Sequence, residues 1–347
     1  METSKLVGLL TDRYNDLKIG SDRKRSIKWP SGISVAASID TITIAISNES
    51  LNKNMQDNSS AFEAWILALK ELVYPEYLFT IKLESSPSII GQHYQRFLVR
   101  LWMFSNLFGS WFVLSPDVKD QIYCKSRYLE YRGKLLCNTG QGGGRSIGVH
   151  NELNELEHQT EGQLEFRLCK DGKDHKCLEK AFKTKPVFRQ FPVGIFVNKV
   201  TAKDENQLFP GKKACIDLVA ESDDGTEFWI FELKKHSNNP FGILSELLFY
   251  TALVRDMVAG NISAQRVPEK DCYNPANLKG KKHINACFLA PDFHPLLLDS
   301  IVLRLNEAFE LLQKKDQLCS VVFHKALLEQ NSTDSIDIKR VFPHNVP

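Results

Sequence analysis

The chain has 347 residues, of which 43% are hydrophobic and 25% are charged, and its formal net charge at pH 7 is +2. This composition is typical of an ordinary globular protein and excludes a fibrous or an intrinsically disordered one. Single hydrophobic cores stop growing at about 250–300 residues, so we expect two domains or one large elaborated domain. The eight cysteines are scattered and none forms a CxxC pair. Their pattern favours free thiols in a reducing cytoplasm.

Neither a secretion signal nor a membrane span is predicted. The apolar stretch near the N-terminus is short and soon meets charged residues. The longest apolar segment, residues 97–114, is interrupted by Arg100, Asn106 and Gly109, whereas a spanning helix needs about 20 apolar residues. We interpret this segment as a buried helix followed by a strand at 110–114, and we expect a cytoplasmic protein without membrane contact.

Periodicity in the first part predicts an α+β domain. Strict alternation over Thr41–Ile46 places three isoleucines on one face of a strand, and a second strand is expected at Leu78–Leu83. Apolar residues spaced three and four apart predict a helix over residues 61–73 and another over Gln92–Phe108.

A glycine-rich segment, CNTGQGGGRSIG at residues 137–148, separates this part from the rest. A phosphate-binding loop needs Gly-Lys-Ser/Thr after four spacer residues, and Arg145-Ser146 stands here instead. We interpret the segment as a flexible linker. The predicted domains are therefore residues 1–145, of unknown role, and residues 146–347.

The second domain contains elements in the order α-β-β-β-α-β, followed by a closing helix. Apolar patterning predicts them at residues 151–168, 187–197, 214–220, 228–234, 242–258, 283–290 and 296–312. A charged loop rich in lysine is expected between the first helix and the first strand. The order implies an α/β core with a mixed sheet flanked by helices.

Charged residues interrupt two of these strands. Side chains alternate between faces of a strand, so Glu232 and Lys234 share one face of the second strand, and Asp217 shares a face with Cys215 and Val219 on the first. The turn Asp223-Asp224-Gly225 folds the two strands into a hairpin. If the faces match, the three charged groups meet at one end of the hairpin.

This arrangement suits metal-dependent hydrolysis. A buried carboxylate is costly unless it is paired or binds a metal, and two carboxylates suit Mg²⁺, which prefers oxygen ligands and keeps several waters. A lysine ammonium can orient an attacking water or neutralise charge that develops on a phosphate. The alternative is a salt bridge of Lys234 with Asp217 or Glu232 at a sheet edge, without chemistry.

Asp217 followed by Glu232-Leu233-Lys234 resembles the D…ExK signature of PD-(D/E)XK, or restriction-endonuclease-like, nucleases, and the element order is similar to their core. The resemblance covers roughly residues 150–325. It implies that Asp217 and Glu232 hold Mg²⁺, or Mn²⁺ in its place, with the Leu233 carbonyl, and that Lys234 lies beside the attacking water. The proline of the family's PD is absent, since Ile216 precedes Asp217.

The resemblance implies two further contributions. A glutamate on the first core helix is usual in the family; we choose Glu165, with Glu161, four residues earlier on the same face, as the alternative. Glu246 and Tyr250 are similar in position to the QxxxY motif of RecB-type nuclease domains, with Glu replacing Gln. Tyr250 is either a DNA contact or a packing residue with a solvated Glu246 beside it.

A basic stretch precedes the acidic hairpin. Residues 167–213 carry twelve lysines and arginines against five acids, a net charge of +7. Phosphate backbone is the natural partner of such a stretch, with Arg189, Lys212 and Lys213 as contacts, and a solvated loop is the alternative.

The sequence therefore predicts a Mg²⁺-dependent nuclease acting on DNA, in restriction, phage defence or DNA repair. RNA stays open as substrate, as does a homodimer or a protein partner of residues 1–145. The rival hypothesis is a nucleic-acid-binding module that keeps the fold without catalysis. We expect Lys234→Ala to abolish cleavage while folding stays nearly intact.

Overall fold

The structure is a computed structural model that describes residues 3–17, 26–84, 91–138, 156, 159–169, 172–201, 203, 205–211, 214–236, 240–264, 272–331 and 335–343. Backbone contacts divide the chain into two compact units. The first contains Met1–Glu130, Pro240–Ser245 and Pro295–Ile301; the second contains Tyr131–Asn239, Glu246–His294 and Val302–Pro347. The predicted boundary at residue 145 lies in the segment 139–150, outside the described residues, so it stays a prediction.

The first unit is built on a four-stranded mixed sheet in the order β1-β2-β3-β4. Its strands are β1 (Ile33–Ala37), β2 (Thr41–Ile46), β3 (Leu78–Leu83) and β4 (Phe112–Leu114). Its helices are α1 (Thr3–Asp16), α2 (Asn48–Leu51), α3 (Phe62–Leu72), α4 (Gln92–Phe108), α5 (Pro116–Lys125) and α6 (Arg127–Tyr131). The predicted bounds of β2, β3 and α4 are confirmed, and the alternation of β2 buries its three isoleucines.

Arg100, one of the residues that interrupt the apolar segment of α4, forms a buried ion pair. Arg100 Nε donates to Glu63 Oε1 at 2.7 Å, and Arg100 also donates to the Ser60 carbonyl at 2.8 Å. Each buried charge is thus paired with an opposite one, and their attraction offsets part of the free energy lost on removing both from water. Among the helices that the structure describes, none combines the length and apolarity that crossing a bilayer requires.

The second unit contains a six-stranded mixed sheet in the order β13-β12-β11-β9-β8-β6 and a small sheet in the order β10-β5-β7. The strands are β5 (Leu135–Cys137), β6 (Phe188–Pro192), β7 (Ile195–Phe196), β8 (Cys215–Glu221), β9 (Glu227–Leu233), β10 (Ile262–Ala264), β11 (His283–Ala290), β12 (Ser320–Gln330) and β13 (Ile336–Phe342). The helices are α7 (Glu161–Leu168), α8 (Lys176–Phe182), α9 (Ile243–Val258) and α10 (Asp299–Asp316). The mixed α/β class is confirmed.

Three predicted elements need correction. The helix predicted from residue 151 begins at Glu161, where Thr160 and Gln163 form a capping box that satisfies the first turn; residues 151–155 lie outside the described part. The expected charged loop contains α8, because Leu178 and Phe182 are buried on one side of it. The strand predicted over 187–197 is two strands, since the chain leaves the large sheet after Pro192 and Gly194 bonds to Asn138.

The two faces of β9 have different surroundings, and this positions the candidate site. Trp229, Phe231 and Leu233 lie in one apolar core with Leu164 of α7 and Phe182 of α8. Phe182 packs against Trp229 and Phe231, with ring centroids 4.7 Å and 5.2 Å apart. Glu232 faces the opposite side of the sheet because side chains alternate along a strand.

Candidate active site

The hairpin of β8 and β9 brings the two predicted metal ligands opposite each other. Asp224 closes its turn by accepting from the Thr226 N–H at 2.9 Å, and Gly225 adopts a left-handed φ of 73° that suits glycine. The strands pair with Val219 opposite Ile230 and Leu218 opposite Phe231. Continued by one step, this register places Asp217 opposite Glu232 on the same face.

Backbone pairing between β8 and β9 stops where the site begins. The last pair is Leu218 with Phe231. Beyond it, the Leu233 N–H donates to Asp217 Oδ2 at 2.7 Å, so a side-chain carboxylate replaces the backbone carbonyl of the neighbouring strand. This bond fixes one oxygen of Asp217 and leaves the other for a ligand.

Lys234 is buried among carboxylates. Its Nζ lies 2.6 Å from Glu232 Oε1 and 3.5 Å from Glu246 Oε2, and its residue is 3% exposed. Its backbone N–H donates to the Leu289 carbonyl at 3.0 Å, which anchors the residue just beyond the end of β9. The salt-bridge alternative placed such a pair at an exposed sheet edge, whereas the pair observed is buried.

Glu246 and Tyr250 of α9 extend this cluster. The Tyr250 hydroxyl donates to Glu246 Oε1 at 3.1 Å, and both residues are buried, at 6% and 3% exposure. The packing alternative assumed a solvated Glu246, but this residue is buried and its carboxylate lies against the Lys234 ammonium. The burial of Tyr250 favours packing over direct contact with DNA.

Helix α7 contributes the fourth carboxylate. Glu165 is 7% exposed, and its Oε2 accepts from Gln190 Nε2 at 3.2 Å. Burial raises the pKa of Glu165, and the Gln190 hydrogen bond and the Lys234 charge oppose this shift. The Glu165 charge in turn raises the pKa of Asp217, so these groups act on one another. Glu161, one turn earlier, also raises the pKa of Glu165 and of Lys234.

The pKa values reflect an excess of negative charge. Burial, with the charges of Glu165 and Glu246, raises the pKa of Asp217 to about 8, although Lys234 and the Leu233 N–H oppose the shift. Burial, Asp217 and Glu246 raise the pKa of Glu232 well above its usual 4.5. Burial disfavours the Lys234 ammonium, but the surrounding carboxylates outweigh this and raise its pKa well above 10.5.

The donor set fits a hard divalent cation. Glu232 Oε2 is buried and accepts from none of the described N–H groups, and the hydrogen bond between the Glu232 and Glu246 side chains needs a proton that a bound cation would replace. Within the described residues, no three His, Cys, Asp or Glu side chains are arranged to hold a metal ion. Two carboxylates and a carbonyl leave several positions to water, which suits Mg²⁺.

The predicted nucleic-acid contacts are dispersed. Arg189 lies on edge strand β6, where its guanidinium carbon is 6.0 Å from the ring centroid of half-exposed Phe166. Lys212 and Lys213 lie outside the described residues. Arg167, counted in the basic stretch, is buried and paired with Asp174 at 2.6 Å, so it does not face a ligand.

The lysines of the basic stretch lie mainly around α8. Their side chains are exposed at positions 173, 176, 180, 183 and 185. Because α8 packs against the sheet face of Trp229 and Phe231, these lysines lie on the side of the sheet opposite to Glu232. The charge of the segment is therefore not concentrated on the side of the carboxylates.

Sequence reasoning missed one residue of this neighbourhood and the surroundings of another. It paired Glu246 with Tyr250 by their spacing, but nothing in the sequence places Glu246 beside Lys234. Gln190 carries no sequence signal, because a glutamine between Arg189 and Phe191 fits an ordinary amphipathic strand.

Comparisons of the chain with protein-family models, with curated proteins and with solved structures found no match.

Proposed function

We propose that the protein is a Mg²⁺-dependent nuclease that hydrolyses phosphodiester bonds of DNA with a PD-(D/E)XK, restriction-endonuclease-like, site. The observation that carries the proposal is the register of the β8–β9 hairpin, which sets Asp217 opposite Glu232 with a buried, charged Lys234 beside them. The element order from α7 to β11 supports the same family.

Each residue has a distinct part in this reaction. Asp217, Glu232 and the Leu233 carbonyl would hold Mg²⁺, which supplies a Lewis acid for the phosphate and lowers the pKa of a bound water. Lys234 keeps its positive charge because carboxylates surround it, and this charge stabilises negative charge that develops on the phosphate. The hydrogen bond from Leu233 holds the Asp217 carboxylate in a fixed orientation.

DNA is the proposed substrate, and RNA is the second choice. Arg189 over Phe166 offers a guanidinium for a phosphate beside an aromatic surface; it is next in sequence to Gln190, and its charge acts on Glu165. Restriction, phage defence and DNA repair are the settings in which a nuclease of this class would act. A homodimer or a protein partner of the first unit is compatible with each of them.

One observation favours the rival function, a nucleic-acid-binding module without catalysis. Lys234 is already engaged by two carboxylates, and an ammonium held this way could serve the fold alone. In that case the protein would bind DNA but cut none of it.

Incubation of the purified protein with supercoiled plasmid, linear duplex, single-stranded DNA and RNA separates the two functions. Reactions contain Mg²⁺, Mn²⁺ or EDTA, and Asp217→Asn serves as the matched control. Cleavage by the wild type that requires the metal and disappears in the variant supports the nuclease. Binding without cleavage in every metal and substrate combination would shift the assignment to the binding module.

A further inference from the structure

Gln190 has an unusual backbone conformation within strand β6. Its φ is 55°, in the left-handed region that residues other than glycine seldom occupy. A residue held there is under backbone strain, which persists only where the surrounding structure requires it. The strained position therefore calls for a physical reason.

Its place in the sheet is adjacent to the candidate site. Strand β6 pairs with β8 through Arg189 opposite Leu218 and Phe191 opposite Ile216. Gln190 lies between these two pairs and forms no ladder pair of its own, and the register on either side brackets Asp217. The strained residue therefore lies at the strand position across from a predicted metal ligand.

The side chain of Gln190 contacts a second residue of the site. Its Nε2 donates to Glu165 Oε2 at 3.2 Å, and this bond lowers the pKa of the buried Glu165 carboxyl against the effect of burial. A buried carboxylate needs such donors, because without them it must either take up a proton or move toward water.

We propose that Gln190 is a positioning residue: its left-handed backbone directs the side-chain amide onto Glu165 and fixes this carboxylate relative to Asp217. The inference rests on the proposed nuclease function and deepens it by adding a residue that acts through Glu165. Outer residues that orient reactive groups of a metal site typically contribute about 10–100-fold to activity.

Gln190→Gly separates this role from a purely structural one. Glycine accepts a positive φ without strain, which offsets part of the stability lost with the amide, so the variant should stay folded with a thermal midpoint close to that of the wild type. We expect kcat for cleavage of a duplex oligonucleotide to fall about tenfold or more, with little change in KM. Asn198→Gly is the matched control, because Asn198 also has a positive φ, of 61°, in the same unit, and it should cleave like the wild type.

A double-mutant cycle tests whether Gln190 acts through Glu165. If it does, Gln190→Gly lowers kcat in the wild type but has no further effect in a Glu165→Gln background. Independent effects that multiply would overturn the inference, as would a Gln190→Gly variant with wild-type kcat. A wild-type protein that cuts no substrate overturns the proposed function and this inference with it. Cleavage by the wild type together with an unchanged Gln190→Gly variant overturns this inference alone, so the two failures are distinguishable.

Discussion

Replacing Lys234 by methionine removes a buried ammonium and leaves the carboxylates around it without their cation. Glu232 lies 2.6 Å and Glu246 3.5 Å from Nζ, and both are buried. Breaking a buried ion pair by removing one partner costs about 3–5 kcal/mol. We expect a loss of about 3 kcal/mol in the free energy of unfolding at pH 7.

The loss should depend on pH in a defined direction. The folded-state pKa of Lys234 is raised, so its stabilisation is fully present below the usual 10.5 and is lost only as pH rises through the higher folded value. The deficit of Lys234→Met should therefore stay nearly constant between pH 5 and 8 and shrink only above pH 10.5.

Urea unfolding at these pH values and cleavage assays on the same preparations measure both consequences. Lys235→Met is the matched control, because Lys235 is adjacent and only half-buried, and it should change stability by less than about 0.5 kcal/mol. Cleavage by Lys234→Met should fall by about a hundredfold or more. A variant as stable as the wild type at pH 8 would refute the buried-pair reasoning, and wild-type cleavage would refute the catalytic role. The sequence-based expectation of nearly intact folding is revised here because Lys234 is buried.

Three further predictions concern single groups. Asp217→Asn should abolish cleavage in Mg²⁺ and recover a little cleavage in excess Mn²⁺, and equal activity of this variant in the two metals would contradict the prediction. The variant should also unfold at a higher temperature than the wild type at pH 8, since the folded pKa of about 8 makes this carboxylate costly to ionise. Millimolar Mg²⁺ should raise the thermal midpoint more at pH 8 than at pH 5, because binding releases protons from the carboxyls; a shift independent of pH would count against the site. Burial lowers the pKa of His324 to about 4 from 6.5, so stability is full above pH 6.5 and about 3 kcal/mol is lost as pH falls to about 4; His324→Gln should flatten this decline in acid urea titrations.

Local patterns predicted the elements whose side chains alternate clearly. The bounds of β2, β3, α4 and β11 follow from apolar periodicity, because each of these segments is buried along its length or on one face. The same alternation placed Asp217 and Glu232 on matching faces of the hairpin. Sequence was sufficient there because both residues belong to one hairpin, whose strands are close together in the chain.

Elements that depend on distant partners were not predicted. Strand β12 (Ser320–Gln330) is long and alternating, but the sequence analysis predicts no strand there. Its place in the sheet depends on pairing with β11, which is separated from it by α10. The side chain of Gln190 bonds to a glutamate of α7, 25 positions earlier. Such contacts leave no periodic signal.

Counting charges along the chain also has a physical limit. Residues 167–213 carry a net charge of +7, but Arg167 is neutralised by Asp174 in the core, and the exposed lysines around α8 accompany the far sheet face. A formal charge contributes to phosphate binding only where the folded chain presents it to the ligand. Arg189 meets this requirement better than the lysines, since it lies on the strand that carries Gln190.

The balance of charge at the hairpin favours the proposed metal site over a salt bridge that serves only the fold. A salt bridge that serves the fold needs one anion for one cation, and additional buried carboxylates would only destabilise it. Here Asp217, Glu232, Glu246 and Glu165 act on a single ammonium, and the pKa values of Asp217, Glu232 and Glu165 are raised. Raised carboxyl pKa values mean that these carboxylates bind protons more tightly than usual, and a divalent cation can displace those protons. A chain that only required a neutral pair would gain stability by losing these acids, whereas a chain that binds Mg²⁺ requires them.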